Sequence, residues 1–259
     1  MNVAKRNIGL TFDGAHCNFR IWAPQATQVQ LAIKDKANID LSRKDYGYWE
    51  ANHITNISES DLYWVKIDGK QLPDPASILQ PEGVHGPSQA VNLSEMPSPD
   101  DWQNIPLKDY IIYELHTGTF SEGGDFEGVA EKLDHLIQLG ITAIELMPVS
   151  AFAGERNWGY DGVYPFAVQA SYGGPKALQE IVALCHSKGL AVILDVVYNH
   201  FGPEGNYLHE FGPYFTDKYK TPWGKAVNFD DRGSHGVREY IIENAIMWFR
   251  DFHIDALRL

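Results

Sequence analysis

The sequence is poor in basic residues and in cysteine, and it contains no long apolar run. Its 259 residues include 21 Lys and Arg against 34 Asp and Glu, which gives a formal net charge of −13 at pH 7. A chain of this charge is repelled by phosphates and anionic lipids, so neither nucleic acid nor a membrane is expected as a partner. No run reaches the roughly 18 apolar residues of a membrane-spanning helix. The first ten residues also lack the apolar core of a signal peptide.

The two cysteines, Cys17 and Cys185, lie far apart in the sequence and match no metal-binding or redox spacing. Cysteines that are sparse and isolated in this way are typical of reduced thiols in a cytoplasmic protein. We therefore expect a cytoplasmic protein without a disulfide bond. No motif calls for a cofactor, and none is predicted.

Short segments with period-two alternation occupy the first 95 residues. The clearest are 17–22, 28–33 and 62–67, and the last of them ends at the turn pair Asp68-Gly69. This pattern predicts an immunoglobulin-like β-sandwich over residues 1–95, followed by a connector over residues 96–109. Proline and glycine between residues 72 and 87 predict an ordered stretch without regular secondary structure.

From residue 110 onwards, strand-like and helix-like segments alternate. Apolar strands are predicted at 110–116, 143–147, 190–195 and 254–259, separated by helices with apolar stripes at 126–137, 174–189 and 237–252. A long polar loop is expected between Pro148 and the second helix. Four strands and three helices correspond to half of a (β/α)8 TIM barrel, but alternation alone also fits a doubly wound open sheet. The glycine fingerprint of dinucleotide-binding sheets is missing, which weakens the open-sheet interpretation.

The segment 190–200 is the most informative part of the chain. An apolar run that begins at Leu190 ends abruptly at Asp195, and Asn199 and His200 follow shortly afterwards. Parallel α/β folds carry their chemistry at the carboxyl ends of such strands. The alternative is a core strand whose carboxylate only caps a neighbouring helix.

Several blocks of the sequence resemble the α-amylase superfamily of glycoside hydrolases. They are DVVYNH at 195–200, NWGYDGV at 157–163, YGGP at 172–175 and DALRL at 255–259. The resemblance implies a multidomain fold in which a sandwich similar to a carbohydrate-binding module precedes the first half of a (β/α)8 barrel. It also implies hydrolysis of α-glucosidic bonds, with an α-glucan as the binding partner.

The same resemblance implies roles for individual residues. Tyr160 matches the aromatic residue on which the sugar at the cleavage point stacks, and His200 matches the histidine that hydrogen-bonds that sugar. Arg258 matches the arginine that lowers the pKa of the nucleophile two positions later. Residues expected to order the site are Asp195, Asn199, Trp158 and Asp161. The position of Asn199 supports a calcium ion in many amylases, but no second cluster of oxygen ligands accompanies it, so no metal is predicted.

The resemblance further implies that none of the three catalytic carboxylates lies in these 259 residues. The nucleophile is expected directly after Leu259, and the acid/base glutamate and supporting aspartate after the fifth and seventh strands. The chain alone is therefore expected to be inactive. An inactive remnant or a glucan-binding fragment is the non-enzymatic alternative.

Within the superfamily, additional blocks resemble the maltooligosyltrehalose trehalohydrolases. They lie at 80–88, 113–120, 144–149, 202–208, 211–217 and 221–224. This narrower resemblance implies cleavage of the α-1,4 bond next to a terminal trehalose, and functional pairing with a maltooligosyltrehalose synthase. Glycogen branching and debranching enzymes share the sandwich-plus-barrel plan and remain the alternatives.

Overall fold

The computed structural model describes residues 4–94 and 102–259, so the connector predicted at 96–109 lies partly outside the described residues. The described amino-terminal part consists of short strands: β1 (Gly9–Asp13), β2 (His16–Trp22), β3 (Val29–Ile33), β4 (Ile39–Asp40), β5 (Ser42–Arg43), β6 (Tyr48–Ile54), β7 (Leu62–Ile67), β8 (Lys70–Leu72) and β9 (Ser88–Gln89). One sheet has the order β1-β2-β6-β5 and the other the order β4-β3-β7-β8, with β9 added to β7. All their pairings are antiparallel.

The two sheets pack face to face because their strands alternate between buried and less buried side chains. Alternate residues of β7 are buried, among them Tyr63 and Val65. Phe19 of β2 meets Tyr63 edge-to-face across the two sheets, with ring centroids 6.2 Å apart. Period-two alternation with one face in a shared core is the arrangement of a β-sandwich, as the sequence predicts.

The carboxyl-terminal part alternates strands and helices, with added hairpins. In chain order its elements are β10 (Ile112–Leu115), α1 (Thr117–Phe120), α2 (Phe126–Ala130), α3 (Leu133–Gln138), β11 (Ala143–Leu146), β12 (Ser150–Ala151), β13 (Tyr164–Val168), α4 (Gly174–Ser187), β14 (Ala191–Asp195), α5 (Leu208–Phe211), β15 (Phe215–Thr221), β16 (Gly224–Val227), α6 (Ser234–Asp251) and β17 (Ala256–Arg258). Strands β10, β11, β14 and β17 form a parallel sheet in chain order. This order is that of a (β/α)8 barrel, whereas a doubly wound sheet reverses its strand order at a switch point.

Several elements of the carboxyl-terminal part differ from the predicted ones. The helix predicted over 126–137 is two short helices, α2 and α3, with a turn between them. The long loop predicted after Pro148 contains the hairpin of β12 and β13, and every residue of Tyr164–Val168 is buried. The strand was not predicted because it contains Pro165, and proline is tolerated in a strand mainly at a sheet edge. Among the described residues, β13 pairs with β12 alone. The hairpin of β15 and β16 and the helix α5 also lie where no element was predicted.

Helix α4 matches its predicted pattern. Its apolar stripe, which includes Leu178, Val182 and Cys185, is fully buried against the sheet, and Pro175 lies in its first turn. Gly189 follows the helix with a φ of +76°, a left-handed conformation that suits glycine at a helix end. In the described ranges, none of the helices is both long enough and apolar enough to cross a lipid bilayer.

The sandwich and the barrel sheet are joined through helix α6. The indole of Trp22 lies directly on Gly236, where an added Cβ atom would be 2.2 Å from Trp22 Cε2. Two further contacts cross the same boundary: Tyr48 donates to Glu239 Oε2 at 2.8 Å, and Tyr240 donates to the carbonyl oxygen of Pro75 at 2.7 Å. The sandwich is thus fixed against the helix that precedes β17.

We expect Gly236→Ala to lower the free energy of unfolding by about 1–3 kcal/mol, because the methyl group overlaps the Trp22 ring and forces the two parts of the chain apart. Ile242→Ala, on the exposed side of the same helix, is the control and should cost less. Urea unfolding of both variants measures the difference. If Gly236→Ala lowers the free energy of unfolding no more than Ile242→Ala does, Trp22 does not pack on Gly236 as described.

Candidate active site

The candidate site lies at the carboxyl ends of β14 and β17, where the last residues of the two strands are register partners. Asp195 ends β14 and is only 3 % exposed, and it is paired in register with Arg258 of β17. Nη1 of Arg258 donates to Asp195 Oδ2, so the buried carboxylate has a cationic partner. The sequence predicted both residues for this site, and the fold brings them together.

Tyr160 completes this arrangement from the loop before β13. Its hydroxyl donates to Asp195 Oδ2 at 2.9 Å, and Arg258 Nη1 donates to the same hydroxyl at 3.4 Å. Burial, together with the bond to Asp195, raises the pKa of Tyr160 above its usual value of 10.0. The phenol therefore stays protonated at neutral pH and acts as a hydrogen-bond donor. Tyr160, Asp195 and Arg258 are called the site triad below.

Asn157 shapes the loop that carries Tyr160. Its Oδ1 accepts from the backbone N–H of Gly159 at 2.8 Å, and its Nδ2 donates to Asp161 Oδ2 at 2.9 Å. Gly159 has a φ of +95°, and a Cβ atom there would be 2.1 Å from the carbonyl oxygen of Pro148. Asn157 therefore connects Asp161 to the backbone of the same loop. No role was predicted for Asn157 from the sequence.

His200 lies beside the site triad and contacts the same loop. Its Nε2 donates to the carbonyl oxygen of Tyr160 at 2.9 Å, while its Nδ1 is 2.9 Å from the amide oxygen of Asn199. The imidazole also stacks on the indole of Trp223, with ring centroids 5.2 Å apart and planes 16° apart. The predicted residues His200 and Asn199 therefore lie next to Tyr160.

Two exposed tryptophans flank the site. Trp158 is 64 % exposed and its ring lies 5.2 Å from that of His116, whereas Trp223, at 61 % exposed, lies in the turn between β15 and β16. Large exposed aromatic rings beside polar side chains can stack on the apolar face of a ligand and hydrogen-bond its edge. Trp223 received no role from the sequence because its contact with His200 depends on the unpredicted hairpin.

Two acidic residues on neighbouring strands also lie at the site, although no role was predicted for them from the sequence. Glu114 of β10 and Glu145 of β11 are register partners, and carboxylate oxygens of Glu114, Glu145 and Asp195 lie within 4.8 Å of one another. Arg258 Nε is 3.8 Å from Glu145 Oε1. Burial, and then the neighbouring Glu114, raise the pKa of Glu145, which the charge of Arg258 partly opposes. Glu145 could have been identified from the sequence, because it is a charged residue inside an otherwise apolar strand.

This arrangement places a flat aromatic ring and fixed hydrogen-bonding groups at the carboxyl ends of the strands of a parallel sheet. Asp195 is held by both Tyr160 and Arg258, which leaves it an anchoring carboxylate rather than a free nucleophile. Such a surface suits a neutral polyhydroxylated ligand that stacks one face and hydrogen-bonds at its edge.

Comparison with sequence families matches the two parts of the chain separately. The profile of the α-amylase catalytic domain matches residues 92–225, which is about half of the chain. The profile of carbohydrate-binding module 48, described as the isoamylase N-terminal domain, matches residues 7–81. The boundary between the matches lies close to the boundary between the sandwich and the barrel sheet.

Among curated relatives, the malto-oligosyltrehalose trehalohydrolase of Saccharolobus solfataricus is 48 % identical over 97 % of this chain and 45 % of its own length. The 1,4-alpha-glucan branching enzyme GlgB of Pseudoalteromonas atlantica is 27 % identical over 98 % of the chain and 39 % of its own length. The chain therefore spans less than half the length of these relatives.

Two solved structures have the same fold as this chain. A putative alpha amylase from Salmonella typhimurium superposes with a TM-score of 0.91 at 36 % identity, over 98 % of this chain and 43 % of that one. A pullulanase from Anoxybacillus, in complex with maltotetraose, gives a TM-score of 0.81 at 25 % identity, over 98 % and 44 % of the two chains.

Proposed function

The chain belongs to the α-amylase family of glycoside hydrolases, and on that basis we propose that it forms the amino-terminal part of a maltooligosyltrehalose trehalohydrolase. The observation that carries the proposal is the site triad, which joins an aromatic ring, a buried aspartate and an arginine at the carboxyl ends of the barrel strands. The 48 % identity to a named trehalohydrolase supports this specificity over other members of the family.

The proposed reaction is hydrolysis of the α-1,4-glucosidic bond next to the terminal trehalose of maltooligosyltrehalose. Water supplies the hydroxyl of the shortened maltooligosaccharide and the proton of the released trehalose. Two carboxyl groups perform such a reaction with retention of configuration through a covalent glycosyl-enzyme. We place the nucleophile directly after Leu259, so the three catalytic carboxylates belong to the remainder of the enzyme.

In this proposal the described residues bind and orient the sugar. Tyr160 stacks on the ring at the cleavage point, and His200 Nε2 exchanges its bond to the Tyr160 carbonyl oxygen for one to a hydroxyl of that sugar. Arg258 keeps the nucleophile ionised, because a fixed positive charge lowers the pKa of a neighbouring carboxyl group. Asp195 holds Tyr160 and Arg258 in place, while Asn199, Trp158 and Asp161 maintain the surrounding loops.

We further propose that the protein acts in the cytoplasm in trehalose biosynthesis, after a maltooligosyltrehalose synthase has made its substrate. Cys17 and Cys185 are both unpaired and buried, as expected of thiols in a reducing compartment. Burial raises the pKa of Cys17 to about 11 and that of Cys185 to about 12, which disfavours the reactive thiolate form at neutral pH.

Product analysis with a purified protein of the full length of its relatives tests the function. Sequencing the gene past codon 259 comes first, since the proposal requires an in-frame aspartate codon immediately after Leu259. The enzyme should then convert maltotriosyltrehalose into equal amounts of trehalose and maltotriose. New α-1,6 branches on amylose without trehalose release would instead assign it to the branching enzymes, and cleavage of existing branches would assign it to the debranching enzymes.

We expect the 259-residue chain alone to release no trehalose from maltotriosyltrehalose at any pH between 4 and 9, because it supplies sugar-binding groups without the proposed carboxylates. Chromatography of the products after long incubation measures this, with the full-length enzyme as the positive control. Saturable turnover by the pure chain would refute the assignment of the catalytic groups to the region after Leu259.

A further inference from the structure

The carboxylate of Asp255, one residue before β17, accepts three hydrogen bonds. Its Oδ2 accepts from His186 Nε2 and from the backbone N–H of Val192, and its Oδ1 accepts from Trp102 Nε1, each at 2.8 Å. The side chains of Asp255 and His186 are only 5 % and 1 % exposed. Because a buried carboxylate is costly unless its oxygens accept hydrogen bonds, these donors fix the position of Asp255.

The donors come from three separate elements that meet at the amino-terminal end of β17. His186 lies in the last turn of α4, Val192 lies in β14, and Trp102 belongs to the predicted connector. The indole of Trp102 also stacks on the imidazole of His186, with ring centroids 4.4 Å apart and planes 9° apart. Asp255, His186 and Trp102 are called the strand anchor below.

The strand anchor sets the register of β17 on β14. The backbone N–H of Asp255 donates to the carbonyl oxygen of Val192 at 2.9 Å, so the two residues are joined through both side chain and backbone. β17 itself has three residues, none of them fully buried, and it pairs with β14 alone among the described residues. Since burial of one face is what usually specifies strand register, β17 needs another source of register, and the anchor provides it.

Register at this end of β17 determines what happens at the candidate site. Arg258 follows Asp255 by three residues, which is about 10 Å along a strand. A slip of one residue would turn Arg258 to the opposite face of the sheet and break its bond to Asp195. The residue after Leu259 would be displaced with it. The anchor therefore acts on the site from the opposite end of the strand.

We propose that the strand anchor is a positioning device for the reaction. It fixes β17 so that Arg258 and the nucleophile proposed directly after Leu259 face the sugar on Tyr160. Attack requires the reacting atoms to be about 3–3.5 Å apart, and a misplacement of about 1 Å is costly in rate. The inference rests on the proposed function and adds a role in it for the connector, through Trp102.

Asp255→Asn in the full-length enzyme should lower kcat for maltotriosyltrehalose by about tenfold and leave KM within about twofold. The amide keeps the shape of the side chain, but its NH2 group meets a donor where a carboxylate oxygen accepted one. KM is retained because Tyr160 and His200, which bind the sugar in the proposed site, lie on other loops. A purely structural role would lower the melting temperature without this separation of kcat from KM.

Variants of His186 and Trp102 test the anchor without altering β17. His186→Gln places an amide N–H near the position of Nε2 and should retain kcat, whereas His186→Leu has no donor and should lose as much as Asp255→Asn. Trp102→Phe keeps a stacking ring and loses the Nε1 donor, so kcat should fall by a few-fold. Phe19→Leu, in the core of the sandwich, is the matched control: it should lower the melting temperature and leave kcat unchanged.

Hydrogen exchange reports on the anchor independently of activity. The backbone N–H of Val196 donates to the carbonyl oxygen of Arg258 at 3.0 Å, and that of Met147 donates to the carbonyl oxygen of Leu115 at 3.0 Å. Asp255→Asn should speed exchange at Val196 by about tenfold and leave exchange at Met147 unchanged. Phe19→Leu should leave the ratio of the two exchange rates as in the wild type.

The inference is overturned if Asp255→Asn keeps the wild-type kcat, or if exchange at Val196 is as slow as in the wild type. An equal loss of kcat in His186→Gln and His186→Leu would also overturn it, because the donor would then be irrelevant. Where Asp255→Asn does not fold, Trp102→Phe gives both readouts. A wild-type enzyme that releases no trehalose would refute the proposed function, while hydrogen exchange would still decide on the anchor.

Discussion

Tyr160→Ala should slow trehalose release by the complete enzyme on the order of 100-fold. The substitution removes both the ring on which the sugar stacks and the hydroxyl that donates to Asp195 at 2.9 Å. Stacking on an aromatic ring is worth about 1 kcal/mol and a hydrogen bond to a charged group about 2 kcal/mol, and each 1.4 kcal/mol corresponds to about tenfold in rate. Initial rates with maltotriosyltrehalose measure the loss.

Tyr160→Phe separates the two contributions to this effect. It keeps the stacking face and loses the hydrogen bonds of the hydroxyl to Asp195 and from Arg258, so its rate should lie between those of the wild type and the alanine variant. Asp195 retains Arg258 as a partner in both variants, so the melting temperature should change little. A near-normal rate for Tyr160→Ala would mean that Tyr160 is a packing residue, and the assignment of the site would fail.

Asp74→Asn should stabilise the protein at neutral pH and abolish a large part of its pH dependence. Asp74 is fully buried between the sandwich and α6, where it accepts from Tyr63 Oη and from the backbone N–H of Ala76, both at 2.9 Å. Burial raises its pKa from 3.8 to about 6, while these hydrogen bonds and the charge of Arg6 oppose the rise only in part. The folded protein therefore holds this proton more tightly than the unfolded chain does.

Because the folded pKa is the higher one, Asp74 favours folding below pH 4, and this contribution is lost as the pH rises from about 4 to about 6. A difference of two pKa units corresponds to about 3 kcal/mol. Asparagine is neutral throughout, so the stability gained by the variant should grow over that pH range and stay constant above it. Urea unfolding of both proteins at pH 4 to 8 measures this gain.

Asp68→Asn is the matched control because its shift has the opposite sign. Hydrogen bonds from the Thr27 side chain and from the backbone of Gln28 and Thr27 lower the pKa of this exposed carboxyl group. Its removal should destabilise the protein at neutral pH, and the difference should shrink as the pH falls below the usual range of an aspartate. Equal pH dependence of wild type and Asp74→Asn would contradict the description of Asp74 as a buried, proton-holding carboxyl group.

The sequence predicted those elements of the fold whose periodicity reflects one buried face. Strands β2 and β7 and helices α4 and α6 lie within a few residues of their predicted bounds, because each packs one regular stripe into the core. Strand β14 was predicted from its continuous apolar run, and all five of its residues are buried. Strand β13 was missed because Pro165 interrupts its pattern. The hairpin of β15 and β16 was missed because its residues are largely exposed and lack an apolar alternation.

Residues of the site were likewise predicted where a local sequence pattern marks them, and were missed where only the tertiary structure brings them close. Tyr160, Asp195 and Arg258 carry recognisable motifs, and the structure brings them into contact. Glu145 and Trp223 were not assigned, because their proximity to the site depends on strand register and on an unpredicted hairpin. Local motifs identified the residues of the site triad. The residues that surround the triad are determined by tertiary contacts, which the sequence motifs do not contain.

A crystal structure of the protein with bound maltotriose would show whether the site triad binds sugar. We expect one glucose ring to lie flat on Tyr160, with hydroxyls within hydrogen-bond distance of His200 and Arg258. A sugar bound away from the site triad, with the Tyr160 ring covered by protein atoms, would contradict it.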